Sequence, residues 1–338
     1  MKNTNSIHTV SPHNISLRFT TTPGIEDIVA RELRERLIGG AAGGPGVPRP
    51  AGGGGADVPG GGGAGRGNNP EDFEIEVRPL DMDGHLLLHT RRSEAQLRAV
   101  VFDMRSCFHV MRHITTISMS ETDPLEALSE ELTKVDIAEM HRASKFRVTT
   151  NRSGTHSFRS MDAQRVAGAA LVDTYGTAVD LEDFDTEVRV DAVDNTWLLG
   201  VQWTGDSLDK RYPWVYRPRV TLRTNIAYAM IRLAELPAET PTLLDPFCGS
   251  GTILIEAASI RADARCLAAD RDVEAITGTR ANAEAVGLAG RIDIREADAR
   301  DLGDTYAPAS VDAIVTNPPY GIRLGKHANY ADLYRKFL

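Results

Sequence analysis

The chain alternates between two hydrophobic rhythms. Residues 15–20, ISLRFT, put every second side chain on one side, the period of a half-buried strand. After Pro23-Gly24, Ile25, Ile28, Val29, Leu33 and Leu37 recur at helical spacing. Residues 73–78 and 85–90 read as two strands joined near Asp83-Gly84, a hairpin turn. Glu94 to Met104 returns to the helical period and Phe108 to Ile117 to the strand period. This βα-ββ-αβ order predicts a ferredoxin-like domain over residues 1–118. It is interrupted at 39–69 by a Gly- and Pro-rich tract with no apolar surface to bury, expected to be a disordered or flexible loop. A second α+β module follows over 119–205. It has a helix from Asp123-Pro124 to about Val135, a strand at Phe146–Thr150, a helix from about Asp162 to Tyr175, the short run Val179-Asp180-Leu181, and strands at 187–193 and 197–203. Residues 206–220 read as a linker. The helix predicted from Thr221 to Leu236 has Leu222, Ile226, Met230 and Leu233 on one face, and short apolar strands follow near 243, 266, 292 and 312. That succession predicts an α/β fold with a Rossmann-like parallel sheet over residues 221–338.

The stretch Leu243 to Glu256, LLDPFCGSGTILIE, is a strand end, a tight glycine turn and a helix start in succession. Such a turn lets a ligand approach the backbone, and the unpaired N–H groups of the first helical turn face whatever sits above it. Asp245, at the strand's carboxyl end, repels phosphate and attracts an ammonium group. A ligand bearing both a carboxylate and an amine satisfies both, as the amino-acid end of S-adenosylmethionine does. No Lys lies in the turn, so it is not a Walker A loop, and its spacing is not G-x-G-x-x-G. About 20 residues further on, the apolar strand Cys266–Ala269 ends in Asp270, placed to accept from ribose hydroxyls.

With Arg295-Glu296-Ala297-Asp298-Ala299 and Asn317-Pro318-Pro319-Tyr320 following in order, the stretch resembles motif I of class I S-adenosylmethionine-dependent methyltransferases that act on exocyclic nitrogens. The resemblance implies a cofactor held by Asp245, Phe247, Gly249, Ser250, Gly251, Thr252, Asp270, Arg271, Asp298, Ala299 and Asn317, with Asp298 accepting from the adenine amino group. Arg223 and Thr224, at the start of the preceding helix, are further candidates for the methionine end. Asn317, Pro318 and Tyr320 are the candidate catalytic residues. If Asn317 Oδ1 and the Pro318 carbonyl accept the two hydrogens of a base amine, its nitrogen pyramidalises toward the methyl group. The prolines stiffen the loop, and Tyr320 offers a face for a splayed base.

Phe146-Arg147-Val148, the Arg152–His156 stretch, Gly168 and Val179-Asp180-Leu181 resemble the THUMP domain of thiouridine synthases and RNA methyltransferases. That implies recognition of structured RNA, with Arg147, Arg152, His156 and Arg159 as candidate contacts. Lys210 and Arg211, among the aromatics Tyr212, Trp214 and Tyr216, extend the set, although Trp214 and Tyr216 equally suit packing between domains. A THUMP module followed by these motifs is similar to guanine-N2 methyltransferases. The expected function is methyl transfer to guanine N2 of an RNA, tRNA first. An rRNA substrate and adenine N6 are alternatives, and a non-catalytic RNA-binding protein with an incomplete methyltransferase fold is a reading from another class.

Composition qualifies this picture. A formal net charge of −9 is unusual for a nucleic-acid binder, so any RNA contact has to rest on local basic stretches. Three cysteines, an absent secretory pattern and no long apolar run point to a cytoplasmic protein outside the membrane. His109 and His113 are four apart, the spacing of a metal pair on a helix, but their segment reads as extended and no metal is expected. Four strands can be placed where the family has seven. The methyltransferase sheet is therefore expected to be incomplete after its fourth strand, leaving an apolar edge at Ala313, Ile314 and Val315, with residues 329–338 as the following helix.

Overall fold

The computed structural model describes residues 15–39, 72–319 and 330–337, which form two compact units. The Gly- and Pro-rich tract beyond residue 39 lies outside the described residues, as does Tyr320. The first unit holds residues 15–39, 72–102 and 107–206; the second holds 103–106 and the described residues from 207 on.

The first unit opens with β1 (Ile15–Thr20), α1 (Glu26–Gly39), β2 (Phe73–Val77), β3 (His85–Thr90), α2 (Glu94–Val101) and β4 (His109–Ser118). β1 lies between β3 and β4, antiparallel to both, and β2 flanks β3, which is the expected ferredoxin-like order. Ser93 starts α2 by accepting from the Gln96 N–H, while the Gln96 side chain accepts from the Ser93 N–H. The chain continues through α3 (Pro124–Leu132), β5 (Lys145–Thr149), β6 (Arg152–Ser153), α4 (Ser160–Tyr175), β7 (Ala178–Val179), β8 (Thr186–Val193) and β9 (Thr196–Gln202). β4 pairs antiparallel with β9, so one sheet runs unbroken across residue 118. Its order is β2-β3-β1-β4-β9-β8-β5-β7, with β6 also on β8. Leu128 and Leu132 of α3 and Ala163, Ala167 and Leu171 of α4 bury one sheet face against Phe146, Val188, Val190 and Leu199.

The opposite sheet face is polar and also buried. Every residue of β8 is buried, and Arg18 on β1 is fully enclosed. Its Nη2 lies 2.6 Å from Asp191 Oδ2 on β8, although β4 and β9 stand between the two strands. Three strand spacings in a flat sheet would separate them by about 14 Å, so the sheet coils around this pair. Arg189 joins the same carboxylate at 3.0 Å. Burial pushes Asp191 up, but Arg18 and Arg189 carry it below the ordinary carboxylate value.

The second unit is a parallel sheet with helices: α5 (Thr224–Leu233), β10 (Thr242–Asp245), α6 (Thr252–Ile260), β11 (Arg265–Asp270), α7 (Val273–Ala285), β12 (Ile292–Glu296), α8 (Leu302–Thr305), β13 (Ala313–Ile314) and α9 (Tyr330–Phe337). Among the described strands the order is β12-β11-β10-β13, so the chain reverses direction of growth beside β10. Leu243, Leu254, Ile255, Cys266 and Ala268 form its core.

Residues 207–219, nearly all of the linker expected at 206–220, pack into this unit. Tyr212 is 5% exposed with Trp214 edge-on at 5.5 Å, and the Tyr216 ring rests on Gly278, where a Cβ would stand 2.1 Å away. Glu256 of α6, 0% exposed, accepts from Tyr212 Oη at 2.7 Å, Arg105 Nη1 at 2.9 Å and Arg211 Nη1 at 3.2 Å. Two cations thus close over one buried anion behind the glycine turn.

Candidate active site

Because β10 to β13 are parallel, their carboxyl ends share one edge of the sheet, where ligands of open α/β sheets bind. Asp245 ends β10, Asp270 ends β11, Asp298 follows β12 and Asn317 follows β13. Phe247, Gly249, Ser250 and Gly251 form the turn between β10 and α6, Thr252 opens α6, and Arg271, Ala299 and Pro318 adjoin the strand ends. The predicted cofactor set therefore falls on a single edge. Tyr320, the predicted stacking residue, lies outside the described residues.

The turn is shaped by two left-handed glycines, Gly249 (φ 54°) and Gly251 (φ 80°). A Cβ on Gly251 would press Thr279 Cγ2 at 2.8 Å, so a side chain is excluded there on two grounds. A Cβ on Gly249 would meet only the Phe247 carbonyl, at 4.0 Å, which leaves room above the turn. The Gly249 N–H donates to Asp270 Oδ2 and the Asp272 N–H to Asp270 Oδ1, each at 3.0 Å, binding the turn to the second strand end. Thr279 Oγ1 donates to the Gly249 carbonyl at 2.9 Å. Asn282 of α7 completes the support. Its Nδ2 donates to the Ser250 and Tyr216 carbonyls, each at 2.9 Å, and its Oδ1 accepts from the Val215 and Tyr216 N–H groups at 2.9 and 2.8 Å.

Asp245 is 2% exposed. Burial pushes its carboxyl up to about 7, against the Thr316 hydroxyl and the Phe247 N–H, which favour the charged form; the Asp270 charge adds to the rise. A carboxylate held near neutrality in this way gains most from an approaching ammonium. Asp298 is held down to about 2, first by the Arg300 guanidinium, whose Nε lies 2.9 Å from Oδ1. Phe247 meets Phe337 of α9 edge-on at 5.4 Å. Three carboxylates on adjacent strand ends, with open space above Gly249, suit a ligand presenting an ammonium, a ribose diol and an adenine amino group. The residues present therefore fit S-adenosylmethionine. Of the two further candidates, Arg223 is the N-cap of α5, and Thr224 Oγ1 donates to the Asp209 carbonyl at 2.6 Å.

The candidate RNA contacts divide. Arg147, Arg152, His156 and Arg159 belong to the first unit, Lys210 and Arg211 to the second. Arg152, Arg159 and Lys210 are exposed. The His156 ring Nε2 lies 2.8 Å from the Asp194 carbonyl. Arg147 lies over the Phe184 ring at 4.0 Å and donates from Nη2 to Glu187 at 2.7 Å, so its charge is already matched. The Arg211 guanidinium donates to Glu256 at 3.2 Å and to the Arg105 carbonyl, so it is engaged within the second unit. Trp214 and Tyr216 pack within the second unit itself. His109 and His113 share strand β4, and burial pushes His113 down to about 3. Among the described residues no group of three or more His, Cys, Asp or Glu is placed to hold a metal, and no helix is long and apolar enough to cross a membrane.

Sequence reading missed Asn282, Thr279 and Thr316, since a neutral polar residue inside a helix or just past a strand carries no local mark of what it binds. It also missed Glu256, whose signal was visible: an acid embedded in the apolar run ILIEAA requires a partner.

Residues 123–202 match the THUMP domain, and residues 215–338 match the family described as RMKL-like, methyltransferase domain. The tRNA (guanine(6)-N2)-methyltransferase of Thermus thermophilus is 37% identical over 236 residues, 70% of this chain and 69% of that protein. The enzyme of the same name from Archaeoglobus fulgidus is 33% identical over 228 residues, 58% of this chain and 57% of that protein. The crystal structure of TrmN from Thermus thermophilus superposes with a TM-score of 0.66 at 31% identity, over 96% of this chain and 83% of that one. Motifs, strand order and relatives agree: the chain belongs to the THUMP-domain family of class I, S-adenosylmethionine-dependent RNA (guanine-N2)-methyltransferases.

Proposed function

We propose that the protein methylates the exocyclic N2 of a guanine in tRNA, at the sixth nucleotide named for the Thermus and Archaeoglobus relatives. The observation that carries this is the Asn317-Pro318-Pro319 turn at the carboxyl end of β13, on the same sheet edge as Asp245, Asp270 and Asp298. Bound S-adenosylmethionine supplies a methyl on a sulfonium, whose departure leaves a neutral thioether. No strong acid or base is needed, and the chain's task is alignment. Asn317 Oδ1 and the Pro318 carbonyl accept the two hydrogens of the amine. The nitrogen lone pair then leaves conjugation with the ring and faces the donor, and the surplus proton passes to solvent. Pro318 and Pro319 fix the backbone of that turn, and Tyr334 Oη secures it by donating to the Pro319 carbonyl at 2.9 Å. Tyr320 provides the stacking face, and Arg152 and Arg159 supply phosphate contacts in the THUMP module. Cys248 and Cys266 are buried thiols rather than disulfide partners, which supports a reducing, cytoplasmic setting.

The test is incubation of the protein with labelled S-adenosylmethionine and total RNA, followed by size separation and nucleoside analysis. Label in the tRNA fraction as N2-methylguanosine is the expected result. Label confined to rRNA, or recovered as N6-methyladenosine, would replace the substrate assignment, and no incorporation would refute the activity.

A further inference from the structure

The ladder between β10 and β13 reaches Val315, whose N–H donates to the Leu244 carbonyl at 3.0 Å. One residue further, the connection passes to a side chain: Thr316 Oγ1 donates to Asp245 Oδ1 at 2.7 Å. The Phe247 N–H donates to the same oxygen at 3.2 Å. A single carboxylate oxygen thus joins the glycine turn to the segment that carries Asn317. Beyond it, the Pro319 carbonyl is held by Tyr334, so the turn is pinned on both sides of Asn317 and Pro318.

We propose that Thr316 is a positioning residue for methyl transfer, its hydroxyl latching the Asn317-Pro318-Pro319 turn to Asp245. The carboxylate that meets the cofactor's ammonium would then also set the amide that meets the base. This rests on the methyltransferase reading above. The charge on Asp245 gives the latch a measurable signature. Burial pushes the Asp245 carboxyl up to about 7; the titratable groups facing it are Asp270 of β11, which raises it, and the buried Cys248 thiol of the turn. The ionised form attracts an ammonium and takes the Thr316 hydrogen bond; the protonated form has no charge to offer. Affinity for a ligand ammonium is therefore full from about one unit above that value and falls below it, toward a limit of about tenfold per unit. Removing the hydroxyl withdraws an interaction that favours the ionised form, so the fall begins at higher pH.

Three proteins are compared: wild type, Thr316→Val, which keeps the branched shape, and Thr316→Ser, which keeps the hydroxyl. Calorimetry measures S-adenosylmethionine affinity from about pH 6 to about pH 8. The cofactor's own amine titrates identically with every variant and cancels from the comparison. Single-turnover methylation of RNA at saturating cofactor measures positioning alone. Thr316→Val is expected to shift the acid limb to higher pH and to lower the single-turnover rate about tenfold or more with the RNA half-saturation unchanged, and Thr316→Ser to restore both. A Thr316→Val limb that coincides with wild type, a saturated rate within about twofold of wild type, or a Thr316→Ser protein as impaired as Thr316→Val would each overturn the latch. If wild type binds no S-adenosylmethionine, the methyltransferase reading itself fails, a result distinct from the other three.

Discussion

Replacing Glu256 by Gln removes one negative charge from the interior of the methyltransferase unit and almost no volume. Glu256 is fully buried, and Arg105 and Arg211 face it at 2.9 and 3.2 Å with side chains 17% and 15% exposed. Deleting one partner of a buried ion pair costs about 3–5 kcal/mol, because the remaining charge stays desolvated and unmatched. Here the two guanidinium groups keep some contact with water, which places the loss near the lower end, about 3 kcal/mol. With a urea slope of about 2 kcal/mol/M, the unfolding midpoint should fall by roughly 1.5 M. Tryptophan fluorescence during urea unfolding is a suitable readout, since Trp214 packs on Tyr212, which donates to the same carboxylate. Ser259→Ala is the control. It removes a hydroxyl that accepts from Arg105 at 3.0 Å but no charge, and should cost about 1 kcal/mol. If Glu256→Gln moves the midpoint no further than the control, the two arginines are not balanced by Glu256, and the account of this cluster is wrong.

Three further outcomes follow from the site. Asp270→Ala should weaken S-adenosylmethionine binding by about 1–3 kcal/mol through loss of an acceptor for paired hydroxyls; an unchanged dissociation constant in calorimetry would remove Asp270 from the ribose. Asn317→Ala should abolish turnover with cofactor affinity held within about a few-fold, and a fully active variant would end its assigned role. Gly251→Ala combines a left-handed backbone with a 2.8 Å contact to Thr279, so it should lower stability by about 1–3 kcal/mol and cofactor affinity with it, as thermal melts with and without ligand would show.

The periodicities of the chain carried most of the architecture. Helical spacing marked α1, α4 and α5, alternation marked β1 and β4, and the glycine turn with its flanking apolar strands located the site edge. What they could not carry was the fate of the polar positions. Alternation in ISLRFT separates Leu17 and Phe19 from Ser16 and Arg18, but it does not say that the polar side is also enclosed. That depends on the coiling of a sheet completed by β8, more than 160 residues later. The partner of Arg211 was hidden for a related reason. A basic residue among aromatics reads as a nucleic-acid contact until a buried acid from a distant helix is known to face it. Thr316 shows the same limit at the site itself, because its partner Asp245 lies 71 residues earlier in the chain.

Asn282 has no spare hydrogen-bonding capacity: both amide hydrogens and both carbonyl lone pairs are engaged, all with backbone. Aspartate at this position would keep the shape but lose both donors, leaving the Ser250 and Tyr216 carbonyls facing a negative charge. Leucine would abandon all four backbone groups, and glutamine would displace the amide by a methylene. No substitution reproduces the pattern. In a saturation-mutagenesis survey the position should therefore be as intolerant as a catalytic one, although Asn282 lies on α7 beneath the glycine turn and has no place in the chemistry assigned to Asn317. Mutational sensitivity in this domain would then report support of the turn as strongly as participation in the reaction.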